Sequence, residues 1–501
     1  MSKVKCFPDI DRFALDRATS KLIPICAEIV ADLDTPLTLF SKIAEEGEHI
    51  FLFESMEGGE KWGRYSFIGY DPLVIFSSFG DQVTVGDASK GLEKTTTFTT
   101  DPLVALKEMI EGYNAAEYEE LPRFCGGAVG FLGYDMVRFM ENLPDDRPAG
   151  DLPDSSFMIP RIVLVHDSFK QTVTVVCWVQ TEVGDASEVL YSRATDLISQ
   201  VIAKIKKPVD GKLFDESSKG AESPHNFTSN MEKQQFEEMV ETAKEYIRSG
   251  DIIQVVLSQR FHTKTELSPL VLYRALRHIN PSPYLFYLQL GDLIQIGSSP
   301  EILVRKDGEN IELRPIAGTR KRGSTPEEDL ALEKELLADP KECAEHMMLV
   351  DLGRNDVGRI AKGGHVQVKD LLVIERYSHV MHIVSGVHGV IDDGLDQFDV
   401  MSACFPAGTV SGAPKIRAME IIDELESDKR GAYAGSVGYF GFSGNMDFCI
   451  TIRTFVMKGN DLWIQAGAGI VSDSDAEKEF EETVNKSLGL RRAVELAEKG
   501  F

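Results

Sequence analysis

Two pairs of glutamates have a spacing suited to chemistry on a hard cation. Glu342 and Glu345 lie three apart in KECAEHMM, and Glu479 and Glu482 lie three apart in KEFEETV. On a helix, that separation puts both carboxylates of a pair on one face. Two such faces turned toward each other would offer oxygen ligands to Mg2+, which takes a few carboxylates, keeps several waters and leaves room for an anionic substrate. The same spacing also suits two solvated acidic helix faces in a chain with 80 acidic residues, so the spacing does not decide alone.

Other segments could hold an anion. Leu313–Gly323 reads LRPIAGTRKRG. Gly318 and Thr319, followed by three basic residues, could bind a carboxylate through backbone N–H and hydroxyl donors, or form an ordinary basic turn. In FPAGTVSGAPK (405–415), Gly408, Gly412 and two prolines fix an unusual path into a helix. That helix N-terminus could attract an anion, or the segment could be a plain junction. Arg453 in ITIRTFV would share a strand face with Thr451 and Phe455, a placement that suits a cleft or a buried acid. Gly467 and Gly469 in QAGAGIV would let backbone approach a ligand, or mark a bulge or turn. His382 lies near His379 and His388 without zinc-site spacing. It is either a hydrogen-bonded core residue or a polar group aimed at a departing substituent. No Walker or dinucleotide-binding motif is present.

These residues need elements to carry them. Helices are expected at 326–337, 341–354, 415–425 and 476–499. Another begins at a Ser229/Glu232 capping-box pattern, carries Phe236, Met239, Val240, Ala243 and Ile247 on one face, and stops at Gly250. Strand-like runs fall at 49–54, 73–78, 162–166, 172–179, 252–257, 284–290, 436–440, 448–456 and 461–466. Consecutive strands with separated helices indicate an α+β fold. The stretch 206–230, polar and rich in Gly, Ser and Pro, reads as a linker or long loop between a 1–205 region and a 231–498 region.

At 501 residues the chain can bury a large core. The balance of 80 acidic against 53 basic residues gives −27, which argues against nucleic acid or an anionic membrane as partner. No run of 18 apolar residues exists, and the N-terminus lacks the apolar core of a secretory signal. Seven scattered cysteines without C-x-x-C fit a reducing cytoplasm. None sits in G-x-C-x-G, the turn expected of a glutaminase nucleophile.

The ordered strings SPEIL, PIAGTRKRG, EHMMLVDLGRNDVGRI, SHVMHIVSGVHG, FPAGTVSGAPKIRAMEII, GAYAGSVGYF and QAGAGIVSDSDAEKEFEETVNKS resemble the chorismate-utilising enzymes. That family includes anthranilate, isochorismate, salicylate and aminodeoxychorismate synthases. The stretch 23–165, with FLFES and GRYSFIG, is similar to the N-terminal region of its anthranilate-forming large subunits. The resemblance implies two packed antiparallel sheets flanked by helices. It implies Glu345 and Glu482 as direct Mg2+ ligands, with Glu342 and Glu479 acting through water. Gly318, Thr319, Tyr433, Arg453, Gly467, Ala468, Gly469 and Lys486 match substrate-binding positions, and His382, Thr409 and Glu301 match catalytic ones.

Members that use an enzyme lysine read P-I-K-G-T, whereas this chain has Ala317 in PIAGT. A small external nucleophile is then implied, namely ammonia from a separate glutamine amidotransferase subunit in a hetero-oligomer. The alternatives are an aminodeoxychorismate synthase or a catalytically silent tryptophan sensor. Ser55, Asn280, Pro283, Tyr284 and Leu285 match the family's tryptophan inhibitor site, although FLFES departs from the commoner motif by a Phe.

Overall fold

The computed structural model describes residues 4–44, 47–56, 63–88, 90–145, 147, 150–182, 184–209, 226–377 and 380–501. Of the expected linker, 210–225 lies outside the described residues, as does His379. Among the described residues no helix is long and apolar enough to cross a membrane.

Two strands, Tyr65–Phe79 and Ser155–Asp167, are 15 and 13 residues long and belong to two sheets at once. They pair along their whole length, with an irregularity between Pro72 and Val74. From their 65–70 and 162–167 ends one sheet runs through His49–Glu54, Tyr284–Leu290, Leu293–Ser299, Thr454–Lys458, Asp461–Ile470 and Gln254–Lys264. From the other end of Ser155–Asp167 a second sheet runs through Gly127–Leu132, Ser436–Gly441, Met446–Ile450, Ile302–Asp307, Asn310–Leu313 and Val380–Val390. Ile316–Lys321 and Gln367–Arg376 both pair with this last strand. Among the described residues every ladder named here is antiparallel, in agreement with the expected α+β pair of sheets.

The first sheet is buried on both faces. In His49–Glu54, Phe51 joins one apolar cluster while Ile50 and Leu52 join another. The second cluster is completed by the helices Ser187–Ile205, Pro269–Ile279 and Ala476–Lys499. A strand covered on both sides reads as a continuous apolar run, which is why HIFLF shows no alternation.

Three local expectations are corrected. Helix Lys233–Ser249 is capped by Glu232 with Gln235, not by Ser229, which sits in the short strand Thr228–Ser229. The strand expected at 252–257 is longer and shifted, Gln254–Lys264, because it follows the whole of Asp461–Ile470. The expected 448–456 strand is two strands, Met446–Ile450 and Thr454–Lys458, which lie in different sheets.

Candidate active site

The chain crosses between the sheets twice at one place. It leaves the first sheet after Ser299, carrying Glu301, and returns between Ile450 and Thr454, carrying Arg453. The crossings brace each other: the Ile450 N–H donates to the Glu301 carbonyl at 3.0 Å, and the Ser298 N–H to the Arg453 carbonyl at 3.2 Å. Arg453 is therefore not on a strand face beside Thr451 and Phe455. It sits in the bend at φ 50, left-handed for a residue with a Cβ. Such a conformation costs roughly 1–2 kcal/mol and collects at functional sites.

Glu301 and Arg453 both face a cavity of about 370 Å³. Glu301 is buried, and that burial pushes its carboxyl up to about 7, although the Thr409 hydroxyl, Arg453 and Lys486 pull it back. His382, on Val380–Val390, lies across the cavity wall. Its Nδ1 is 3.1 Å from the Gly318 carbonyl and 3.0 Å from the Thr319 hydroxyl. A carbonyl only accepts, so Nδ1 carries the proton and Nε2 of the neutral ring is an acceptor. Burial first, and then the charge of Arg453, hold His382 below its ordinary value.

Gly318 takes φ 64, and Ala317 and Thr319 line the cavity. The basic residues that follow do not. Arg320 pairs with Glu335, Asp339 and Glu342, and Arg322 with Asp329, so they brace the neighbouring helices rather than an anion. In FPAGTVSGAPK it is the short turn Gly408–Val410 that reaches the cavity, through Thr409 and Val410. The N-terminus of helix Lys415–Leu425 is not part of the cavity wall, and Lys415 there is bound to Asp356 at 2.8 Å, which fits the plain junction rather than an anion site.

Gly467 and Gly469 are neither bulge nor turn. They pair in regular register with Ser258 and Val256 inside the longest ladder of this region. A Cβ on Gly467 would lie 2.6 Å from the Tyr433 hydroxyl, and one on Gly469 would lie 2.4 Å from Gln254 Nε2. Both glycines, Tyr433 and Gln254 line the cavity. Ala468 is fully buried and not part of the wall, because alternation turns its side chain to the other face. Lys486 donates to the Gly467 carbonyl at 2.9 Å and pairs with Glu482 at 2.7 Å.

Glu345, on helix Pro340–Gly358, shares the cavity with Glu479 and Glu482 on helix Ala476–Lys499. Glu342 does not line it and is held by Arg320 at 3.0 Å. Burial and then the charges of Glu342 and Glu482 raise the Glu345 carboxyl, and burial with Glu482 raises Glu479. Among the described residues, no three acidic, His or Cys side chains stand close enough to hold an ion in this arrangement. The donor chemistry nevertheless fits Mg2+: oxygen ligands only, mutually repelling, beside a buried Gln254 Oε1 that has no hydrogen-bond partner.

Gln254, Lys341 and Gln465 also line the cavity and were not singled out from the sequence. The one signal for Gln254 is a polar residue in the apolar run IIQVVL.

A smaller cavity of about 80 Å³ lies where His49–Glu54, Tyr65–Phe79 and Tyr284–Leu290 meet Ile302–Asp307, Ser436–Gly441 and Met446–Ile450. Ser55, Pro283, Tyr284 and Leu285 line it with Phe53, Phe67 and Tyr439, and Arg305 and Asp447 face it. Asn280 does not line it. Asn280 holds Ser298 instead, with Nδ2 donating to the Ser298 hydroxyl at 3.0 Å.

With this geometry in place, comparison with known proteins defines the class. A family model described as chorismate binding enzyme matches residues 49–491, and the chain belongs to that family. Within it, the chain is 49% identical to anthranilate synthase component 1 of Aquifex aeolicus (strain VF5), covering 95% of this chain and 96% of that protein. It is 47% identical to anthranilate synthase component 1 of Acetivibrio thermocellus, covering 98% and 99%. The crystal structure of anthranilate synthase component I from Streptococcus pneumoniae superposes with a TM-score of 0.75 at 38% identity, covering 87% of this chain and 95% of that one. The menaquinone-specific isochorismate synthase from Escherichia coli, at 20% identity and a TM-score of 0.69, shares the fold.

Proposed function

We propose that this chain aminates chorismate to anthranilate, releasing pyruvate and water. Ammonia would come from a separate glutamine amidotransferase subunit, and tryptophan would act as feedback inhibitor. The observation that carries this reading is a single cavity walled by four glutamates, a left-handed arginine and a two-glycine strand, with an alanine at 317. No enzyme amine stands at that position, so the nucleophile must enter from outside.

In the reaction a C–N bond forms at ring C2 while the C4–O bond breaks and its oxygen leaves as water. Loss of the C2 proton and cleavage of the C3–O ether then release pyruvate and leave an aromatic ring. Mg2+ held by Glu345 and Glu482, with Glu479 acting through water, would supply Lewis-acid stabilisation of the ring carboxylate, while Glu342, which matches the other water-mediated position, is engaged by Arg320 outside the cavity. Arg453 and the Gly467–Gly469 backbone are the groups placed to hold the second carboxylate. Glu301, half protonated near neutrality, suits the acid that meets the departing hydroxyl. The bare Nε2 of His382 suits the base that takes the C2 proton. Aromatic walls and the Arg305–Asp447 pair in the smaller cavity suit an indole-bearing zwitterion.

The test is the purified chain with chorismate, Mg2+ and ammonium, read by anthranilate fluorescence with and without tryptophan. Anthranilate should form with ammonium and not with glutamine alone. An aminated product that keeps its enolpyruvyl group would replace this reading with an aminodeoxychorismate synthase. In Glu345→Gln and Glu482→Gln, the rise in Tm caused by Mg2+ should vanish together with turnover. Full turnover in either variant refutes the metal assignment.

A further inference from the structure

Behind the cavity wall lies a charged pair that does not itself line the cavity. The side chains of Glu426 and Arg430 are 3% and 0% exposed. The guanidinium donates to both carboxylate oxygens, at 2.9 and 2.6 Å, and also to the carbonyls of Val410 and Val256, each at 2.7 Å. It lies over the Tyr134 ring at 4.8 Å and the Tyr433 ring at 5.6 Å. One oxygen of Glu426 also accepts from the Ser258 N–H at 2.8 Å and the Ser258 hydroxyl at 2.9 Å. That hydroxyl in turn accepts from Gln465 at 2.9 Å.

The pair's partners share one feature. Val256, Val410, Tyr433 and Gln465 are all walls of the catalytic cavity, whereas Glu426 and Arg430 are not. Three separate pieces of chain meet there: the strand Gln254–Lys264, the turn Gly408–Val410 that bears Thr409, and the 431–435 segment that bears Tyr433. No backbone ladder joins the turn to Tyr433. A planar fork with five fixed donors can set their relative positions, and a lysine cannot. A buried ion pair adds little net stability over well-packed apolar side chains, so stability alone does not account for it.

We propose that Arg430, oriented by Glu426, is a positioning residue that fixes the shape of the substrate cavity. It sets the turn carrying Thr409 against Tyr433 and the glycine strand. This rests on the reading of the cavity as the chorismate site.

The test compares the parent with Arg430→Lys and with the apolar pair Glu426→Leu/Arg430→Met. Steady-state kinetics are run with Mg2+ and ammonium, chorismate Kd is measured by calorimetry, and Tm is recorded. Both variants should keep a cooperative unfolding transition. With two backbone contacts released, chorismate KM and Kd should rise on the order of tenfold while kcat changes by less than about threefold. A folded variant whose KM and Kd stay within about twofold of the parent overturns the proposal. So does loss of folded protein in both variants, which would assign the pair to folding. A parent that binds chorismate without making anthranilate would sink the reaction and leave the Kd comparison to judge the pair. A parent that does not bind chorismate sinks both.

Discussion

Glu301 owes its proton affinity to where the chain crosses between sheets, and that gives the reaction a pH signature. Burial lifts its carboxyl to about 7, above the 4.5 of an ordinary glutamate. If its protonated form donates to the departing hydroxyl, that form is abundant below pH 7 and lost above it. The kcat/KM profile should therefore fall as pH rises through about 7. His382 does not add to this limb, because it is held below its ordinary value and is already neutral there. Glu301→Gln keeps the size and hydrogen bonding of the side chain but cannot give up a proton. It should lower kcat by about 10²–10⁴ and remove the alkaline limb. A glutamine variant with the parent's profile would exclude Glu301 as the acid.

At the scale of elements, the glycine strand and the two crossings do the positioning. Gly467 is packed under Tyr433, with the Leu257 carbonyl 2.9 Å from where a Cβ would stand. A backbone atom cannot swing aside, so Gly467→Ala must displace Tyr433 and loosen the ladder to Gln254–Lys264. The expected result is a raised chorismate KM and a stability loss of about 1–3 kcal/mol, measured by denaturant titration. An alanine variant with unchanged KM would mean that the strand, not the gap it leaves, is what matters.

Much of this was legible in the sequence. Helix stops such as Gly250 are local signals, and the structure ends Lys233–Ser249 there. The E-x-x-E spacing and the paired glycines are local too, and the structure brings Glu345, Glu479, Glu482, Gly467 and Gly469 to one cavity while leaving Glu342 outside it. What failed was non-local. Arg453 reads as a strand residue because ITIRTFV is rich in β-branched and aromatic residues, and nothing in those seven residues marks a change of sheet. The basic run after Thr319 could be an anion site or an ordinary basic turn, and the sequence does not choose, because the partners of Arg320 and Arg322, namely Glu335, Asp339, Glu342 and Asp329, lie on helices that only the tertiary fold brings near. Glu426 and Arg430 gave no signal at all, being an i,i+4 charge pair of the kind found on many exposed helices.

For the whole molecule, the N-terminal and C-terminal regions are woven into the same two sheets. His49–Glu54 pairs with Tyr284–Leu290, and Gly127–Leu132 with Ser436–Gly441. Removing residues 1–209 would strip one neighbour from each of those C-terminal strands. It would also uncover Phe286, Leu288, Val437 and Phe440, all buried at 2% exposure or less. Exposed edges and apolar faces of that extent lead to aggregation rather than a smaller stable domain. A 226–501 fragment expressed alone should therefore be insoluble or lack a cooperative unfolding transition. Co-expression with a 1–209 fragment should restore both strand neighbours without a covalent connection. The two pieces should co-purify and form anthranilate from chorismate and ammonium. If 226–501 alone folds and turns over at the parent rate, the shared ladders are not what holds Glu301 and Arg453 across the cavity.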